Sequence, residues 1–145
     1  MAKVLVTYAT RSGNTKEISE LIAEGIRMGG MQASVKNVLD IKTEKDLEGY
    51  DAYVFGSATY HGDMMGSLKT MLFLCEKVSL EGKPGGAFGA FGGSGEAPDR
   101  IYQTMKNIFK MNMTSDPLRL KSCSLEGGTK MAQDYGREIA KKLMS

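Results

Sequence analysis

The stretch from residue 4 to residue 15 constrains the fold of this chain more than any other part of the sequence. Val4–Tyr8 is a largely apolar run, which is typical of a strand buried on both faces of a parallel sheet. Polar residues and one glycine follow, and apolar residues then recur at helical spacing from Ile18 onward. The pattern predicts a strand, a short loop and a helix in immediate succession.

The loop after this first strand has the composition of an anion-binding site. The first turn of a helix has backbone N–H groups without internal partners and carries the positive end of the helix dipole. Gly13 lacks a Cβ, so the backbone there can approach a ligand closely. Four side chains that can hydrogen-bond a phosphate surround it: Thr10, Ser12, Asn14 and Thr15. An N-cap by Asn14 or Thr15 is the structural alternative, but a cap needs only one such side chain.

The spacing within the loop limits the kind of phosphate. A nucleoside triphosphate loop requires Gly-x-x-x-x-Gly-Lys-Ser/Thr, and a dinucleotide fingerprint requires Gly-x-Gly-x-x-Gly after the first strand. The loop contains one glycine and has no lysine at the required place. We therefore predict a compact pocket for one terminal phosphate.

Strands and helices alternate along the rest of the chain, which predicts parallel βαβ units with right-handed crossovers. The predicted strands are 4–8, 32–38, 52–56, 85–91 and one within 111–120. The predicted helices cover about 15–28, 68–75, 101–109 and 132–143, with a short helical turn at 47–50 as the fifth. We expect a single α/β domain over residues 1–145, a doubly wound three-layer sandwich whose five-stranded parallel sheet has the order 2-1-3-4-5.

In a doubly wound sheet of this order, a ligand lies beyond the carboxyl ends of the strands, at the switch between strands 1 and 3. The loops that follow strands 1, 3 and 4 must therefore converge. They cover residues 10–15, 57–66 and 92–96, which are the three most unusual stretches of the sequence.

Those stretches carry a resemblance to a known family. Thr10–Thr15 resembles the flavodoxin phosphate loop, Thr/Ser-x-Thr/Ser-Gly-x-Thr, which holds the 5′-phosphate of flavin mononucleotide (FMN). Gly56–Met65 and Ala87–Ala97 are similar to the flavodoxin module of the flavodiiron proteins, and the similarity runs from about Lys3 to Leu143. The resemblance implies a flavodoxin-like fold and a flavoprotein with FMN as its cofactor, acting in electron transport.

By this resemblance, three loops hold the cofactor. The phosphate loop contributes Thr10, Arg11, Ser12, Gly13, Asn14 and Thr15. The second and third loops clamp the flavin ring with Ala58, Thr59, Tyr60, His61 and Gly62 and with Phe91, Gly92, Gly93, Ser94 and Gly95. In the family, a carbonyl of the second loop accepts a hydrogen bond from flavin N5 once N5 is protonated. Gly62 and the Tyr60–His61 peptide are both candidates for that role.

Two functions fit this site. The leading interpretation is a flavodoxin that carries single electrons between redox enzymes and has no catalytic residue of its own. The alternative is a small FMN-dependent NAD(P)H or quinone oxidoreductase, favoured by the near-neutral charge and by the absence of tryptophan, which leaves one flavin face more open. A receiver-type regulatory domain would need acidic residues at the end of the first strand, where Thr7–Thr10 stands.

Composition restricts the partners. The 19 basic and 17 acidic residues give no electrostatic case for nucleic acid. No apolar run approaches the ~18 residues that span a bilayer, so we expect no membrane insertion and a cytoplasmic location. His61 is the sole histidine, so the chain cannot supply a di-iron centre and we expect no metal. The expected partners are redox proteins as electron donor and acceptor, with the chain a monomer or weak homodimer.

Overall fold

The computed structural model describes residues 2–10, 13–60, 63–90, 96–120 and 127–144, with Tyr60 described by its backbone alone. The strands are β1 (Lys3–Ala9), β2 (Gln32–Asn37), β3 (Ala52–Ser57), β4 (Thr59–Tyr60), β5 (Asp63–Met64), β6 (Pro84–Ala90), β7 (Asn112–Met113) and β8 (Leu118–Leu120). The α-helices are α1 (Asn14–Met28), α2 (Gly66–Cys75), α3 (Glu96–Asn107) and α4 (Gly128–Met144). None of these helices is both long enough and apolar enough to cross a bilayer.

The main sheet has the strand order β2-β1-β3-β6-β7, and all its strand pairs are parallel. Because β6 is the fourth strand of this sheet along the chain, the predicted order 2-1-3-4-5 is confirmed. The fifth position is divided between β7 and β8, which both pair with β6. Pro117 lies between them and cannot donate a ladder hydrogen bond, so the single strand predicted within 111–120 is two short ones.

The side chain of Tyr135 replaces a strand where β7 and β8 leave β6 unpaired. Its hydroxyl accepts a hydrogen bond from the Ala87 N–H at 2.9 Å and donates one to the Ala87 carbonyl at 3.1 Å. Gly86 makes room, since a Cβ there would lie 2.9 Å from that hydroxyl. Both backbone polar groups of buried Ala87 are thereby satisfied. Burial of the phenol raises the pKa of Tyr135 above its ordinary value.

The helices cover the two faces of the sheet in pairs. Successive side chains of β1 point to opposite faces, so Val4 and Val6 pack with residues of α1 and α4, whereas Leu5 and Ala9 pack with residues of α2 and α3. The α1 and α4 backbones approach closely at two glycines. A Cβ on Gly25 would lie 1.9 Å from the carbonyl oxygen of Gln133 on α4.

The connection between β2 and β3 differs from the prediction. Within the described residues there are four α-helices, and this connection holds two 3₁₀ turns, Val38–Asp40 and Glu44–Leu47, in place of the helical turn predicted at 47–50. The Asp46 carboxylate accepts the backbone N–H groups of Lys42 and Thr43 at 2.9 and 3.1 Å, which favours an earlier start for the second turn. A longer helix has little support, because the buried residues Val38, Ile41 and Leu47 do not recur at continuous helical spacing.

Candidate cofactor site

The three predicted loops leave the sheet at one edge. Strands β1, β3 and β6 are neighbours and parallel, with Ala9 opposite Ser57 and Gly56 opposite Phe88. Loops that follow the carboxyl ends of adjacent parallel strands emerge on the same side of a sheet. The start of α1, the β4–β5 hairpin and the start of α3 therefore surround the same end of the sheet.

The first turn of α1 leaves its polar groups available to a ligand. Gly13 is the N-cap residue, with a φ of 92°, and no side chain of the described residues caps the helix. Asn14 and Thr15 are the first two helical residues, so the alternative that either is the N-cap is wrong. Thr10 shapes the turn, since its Oγ1 accepts the Gly13 N–H at 2.9 Å.

Thr15 has a buried hydroxyl that a bound ligand could pair with. The residue is 1% exposed, and its Oγ1 has no hydrogen-bond partner among the residues that the structure describes. Leaving a hydroxyl buried and unpaired costs about 1–3 kcal/mol. The helix dipole and the free N–H groups beside it favour an anion. The residues present therefore fit the terminal phosphate of FMN.

Ser57 holds the base of the second loop. Its hydroxyl donates to the Ala58 carbonyl at 2.8 Å and accepts the Met65 N–H at 2.9 Å, so both ends of the loop meet at one side chain. The Ala58 N–H donates to the Ala9 carbonyl at 3.1 Å and extends the β1–β3 pairing into the loop. Ser57 is not among the predicted site residues. Its signal is a hydroxyl residue at the carboxyl end of an otherwise apolar strand.

Thr59 joins the second loop to the helix that follows the third. Its Oγ1 accepts the backbone N–H of Ala97, the second residue of α3, at 3.2 Å. The predicted role of Thr59 is a backbone contact to the flavin, and its side chain proves to have a structural partner as well. Because α3 begins directly after residues 91–95, this hydrogen bond ties together the two loops that are predicted to hold the flavin ring.

An ion cluster, Asp63 with Lys69 and Arg100, lies beside the hairpin. The Asp63 carboxylate is 2.5 Å from Lys69 Nζ on α2 and 3.6 Å from Arg100 Nε on α3, and it also accepts the Met64 N–H at 2.7 Å. Partial burial alone would raise the pKa of Asp63, but the hydrogen bonds from Lys69 and Met64 and the two positive charges outweigh burial and lower that pKa. None of the three is among the predicted site residues, although Asp63 lies within the predicted loop 57–66, because nothing in their sequence spacing places them together.

Several predicted site residues lie outside the described residues, and their contacts with the cofactor stay predictions. They belong to all three loops: Arg11, Ser12, the Tyr60 side chain, His61, Gly62, Phe91, Gly92, Gly93, Ser94 and Gly95.

Comparison with known proteins identifies the family. A family model described as a flavodoxin domain matches residues 5–142. The putative diflavin flavoprotein A 5 of Nostoc sp. is 33% identical over 141 residues, which cover 90% of this chain and 25% of that protein. The NAD(P)H dehydrogenase (quinone) of Archaeoglobus fulgidus is 27% identical over 122 residues, which cover 68% of this chain and 64% of that protein.

A solved structure matches the chain over its whole length. A flavodoxin from the domain Archaea superposes with a TM-score of 0.91 at 30% identity, and the match covers 99% of both chains. By contrast, the chain spans only 25% of the length of the Nostoc diflavin flavoprotein. The family model and the structural match agree. The chain belongs to the flavodoxin family, and this membership implies FMN as its cofactor.

Proposed function

We propose that this chain is an FMN-binding flavodoxin that carries electrons one at a time between redox proteins. The observation that carries the proposal is the buried hydroxyl of Thr15 at the N-terminal turn of α1, which has no hydrogen-bond partner among the described residues. FMN, when bound, supplies the electron-accepting ring, and the protein supplies binding, orientation and the electrostatic environment.

The phosphate is held by the start of α1. Thr15 donates its hydroxyl proton to a phosphate oxygen, and the first-turn N–H groups add further donors. Thr10 can hydrogen-bond the loop and the phosphate at the same time. Its Oγ1 accepts the Gly13 N–H, and its hydroxyl proton is the proposed donor to the phosphate. Ser12 and Asn14 are the other two proposed donors to the phosphate. No lysine or metal ion is required.

The flavin ring is held by the second and third loops. Ala58 and Thr59 lie at the carboxyl end of β3, where Ser57 and Ala97 fix them by hydrogen bonds. Their backbone groups are the proposed contacts along the ring edge. The proposed walls of the flavin ring belong to the second loop, at Tyr60 and His61. The proposed N–H donors belong to the glycine-rich third loop, from Phe91 to Gly95.

A second candidate is a small FMN-dependent NAD(P)H or quinone oxidoreductase. The Archaeoglobus fulgidus relative, which is named for that activity, favours it, although it is 27% identical over 68% of this chain. The near-neutral charge of +2 is also compatible with a small-molecule substrate. Redox proteins as electron donor and acceptor are part of the proposal for the carrier. A monomer or weak homodimer and a cytoplasmic location are proposed for both candidates.

Anaerobic stepwise reduction of the FMN-loaded protein separates the two candidates. A carrier passes through two distinct one-electron steps, visible as two separate changes in the absorption spectrum, and shows no sustained turnover with NAD(P)H and a quinone. A single two-electron step accompanied by steady consumption of NAD(P)H and quinone would favour the oxidoreductase.

A further inference from the structure

We propose that two copies of this chain associate through the groove between α2 and α3, with their α2 helices antiparallel about a twofold axis. In this dimer, Phe73 of each copy enters the groove of the other, and Lys69 of each copy pairs with Glu76 of the other. The inference goes beyond the proposed function, because the interface uses none of the predicted flavin contacts and is expected with or without FMN.

The groove between α2 and α3 is largely apolar and has room for an aromatic ring. The buried side chains of Met64, Leu72 and Phe109 line its base. Phe73 on α2 and Ile108, directly after α3, line its edges and are 69% and 61% exposed. The cavity measures about 220 Å³, and an apolar cavity of about 150 Å³ accepts benzene. Two large exposed apolar side chains beside one apolar groove are typical of an interaction site.

The residues of α2 that line this groove form a stripe with opposite charges at its two ends. Lys69, Leu72, Phe73 and Glu76 follow one another at i, i+3, i+4 and i+7, so they share one face of the helix. Glu76 is the C-cap residue of α2 and has helical backbone angles. At 1.5 Å per residue, Lys69 and Glu76 lie about 10 Å apart along the helix. The apolar side chains stand between the two charges.

This stripe is complementary to itself. In a twofold interface, the same patch serves on both copies. An axis between Leu72 and Phe73 places Lys69 of one copy opposite Glu76 of the other and repeats that pair on the far side of the axis. Parallel α2 helices would instead bring like charges together. The symmetric placement of the two charges about an apolar centre therefore favours a second copy of this chain as the occupant of the groove.

The contacts within one copy leave both charges able to pair. Lys69 lies 2.5 Å from Asp63, but its side chain is 48% exposed and the ammonium group has three N–H donors, so it can contact a second carboxylate. Glu76 is exposed and makes no printed contact with a cation in the part of the chain that the structure describes. The dimer therefore adds a partner for Glu76 without removing the one that Asp63 has.

The antiparallel arrangement leaves the candidate cofactor sites accessible. Helix α2 begins directly after the β4–β5 hairpin, at the end of the sheet where the three predicted loops lie. Antiparallel α2 helices therefore place the two cofactor sites at opposite ends of the dimer. We expect dimer formation to leave FMN affinity unchanged.

Sedimentation equilibrium from micromolar to millimolar concentration, with and without added FMN, measures the association. We expect a weak dimer whose population rises with concentration. Phe73→Ser should raise the dissociation constant about thirtyfold or more, as the loss of a central aromatic side chain does. Met144→Ser is the matched control, because Met144 is 71% exposed on α4, on the opposite face of the sheet. Its dissociation constant should equal that of the parent.

Reversal of single charges tests the antiparallel register. Lys69→Glu gives the stripe two acidic ends and Glu76→Lys gives it two basic ends, so each variant alone should dissociate about tenfold more readily or worse. An equimolar mixture of the two variants places opposite charges together at both ends and should restore the dimer. Overall charge does not account for this recovery, since the parent net charge of +2 becomes 0 and +4 in the two variants.

Glu138→Lys controls for net charge, because it makes the same change at an exposed position of α4 and should associate as the parent does. Circular dichroism checks that each variant is folded. A parent protein that stays monomeric at millimolar concentration, a dimer that persists in Phe73→Ser, or a mixture of folded charge variants that stays monomeric would overturn the inference. None of these results bears on FMN binding, whereas failure of the parent to bind FMN would overturn the proposed function and leave the dimer standing.

Discussion

The hydroxyl oxygen of Thr59 lies 3.2 Å from the backbone nitrogen of Ala97 and accepts its hydrogen. Ala97 is the second residue of α3 and is fully buried, so its N–H has no acceptor within the helix. Thr59 therefore does for α3 what an N-cap side chain does, from a different segment of the chain. The loops after β3 and β6 are linked by this contact before any ligand arrives.

Replacing Thr59 with valine removes that acceptor and keeps the shape of the side chain. We expect a loss of about 1–2 kcal/mol in the free energy of unfolding, the size typical of a lost N-cap. We also expect weaker binding of both FMN and riboflavin, because the change affects the part of the site that holds the ring. Urea denaturation and flavin fluorescence titration measure the two effects. Thr59→Ser keeps the acceptor and should retain both properties; equal losses in the serine variant would rule out this role.

Tyr135→Phe tests the hydroxyl that substitutes for a strand beside β6. The variant leaves the N–H and carbonyl of buried Ala87 without their partner, and we expect a loss of about 2–4 kcal/mol in the free energy of unfolding. Tyr102→Phe removes a hydroxyl from a half-buried tyrosine on α3 and serves as the control, with little expected change. Chemical denaturation of the two variants gives the comparison. Similar stabilities for both would show that Ala87 finds other partners.

Gly25 lies where α1 crosses α4, and a methyl group there would overlap the backbone of Gln133. Gly25→Ala should therefore force the helices apart and cost about 1–3 kcal/mol of stability, or more. Gly66 is the control, because it begins α2 and a Cβ there meets nothing within 4 Å. Gly66→Ala should be neutral or slightly stabilising by thermal unfolding. A Gly25→Ala protein as stable as the parent would contradict the close approach of the two helices.

Alkaline pH should weaken the fold through Tyr53. Burial raises the pKa of its phenol from 10.0 to about 12, and its hydroxyl donates to the Leu47 carbonyl at 2.5 Å. Above pH 10 the unfolded chain loses this proton while the folded chain keeps it, so stability is complete below pH 10 and falls as the pH rises toward 12. The loss from this group amounts to about 2–3 kcal/mol. Urea denaturation at pH 8 to 11 should show a smaller pH dependence in Tyr53→Phe; an identical slope would contradict the assignment.

The strand order of the main sheet could be predicted from the sequence because buried parallel strands read as apolar runs. Val4–Tyr8 lies within β1, and α1 ends at Met28, as predicted, with Gly29 as its C-cap. The exact course of the fifth strand could not be predicted. Pro117 signals an interruption within 111–120, but nothing in that segment shows that the Tyr135 hydroxyl, from the last helix, pairs with Ala87 between β7 and β8.

The candidate site was predictable only in part. The predicted phosphate loop is continuous in sequence, so its four polar side chains around Gly13 are visible in a single stretch. The anchors of the second loop are not, since Thr59 reaches Ala97 and Asp63 reaches Arg100 only after the sheet has formed. Side chains that position a site through tertiary contacts leave no local pattern for sequence reasoning to detect.

Comparison of FMN with riboflavin tests the central claim most directly, because the two ligands differ only in the phosphate. Thr15→Val and Thr7→Val each remove a buried hydroxyl that has no partner among the described residues, but Thr15 alone is at the start of α1. We predict that Thr15→Val weakens FMN binding by about ten- to hundredfold, the value of a hydrogen bond to a charged group. Riboflavin affinity should stay the same, and Thr7→Val should bind both ligands as the parent does. Equal affinity of the parent for FMN and riboflavin, or undiminished FMN binding by Thr15→Val, would contradict a phosphate site at this turn.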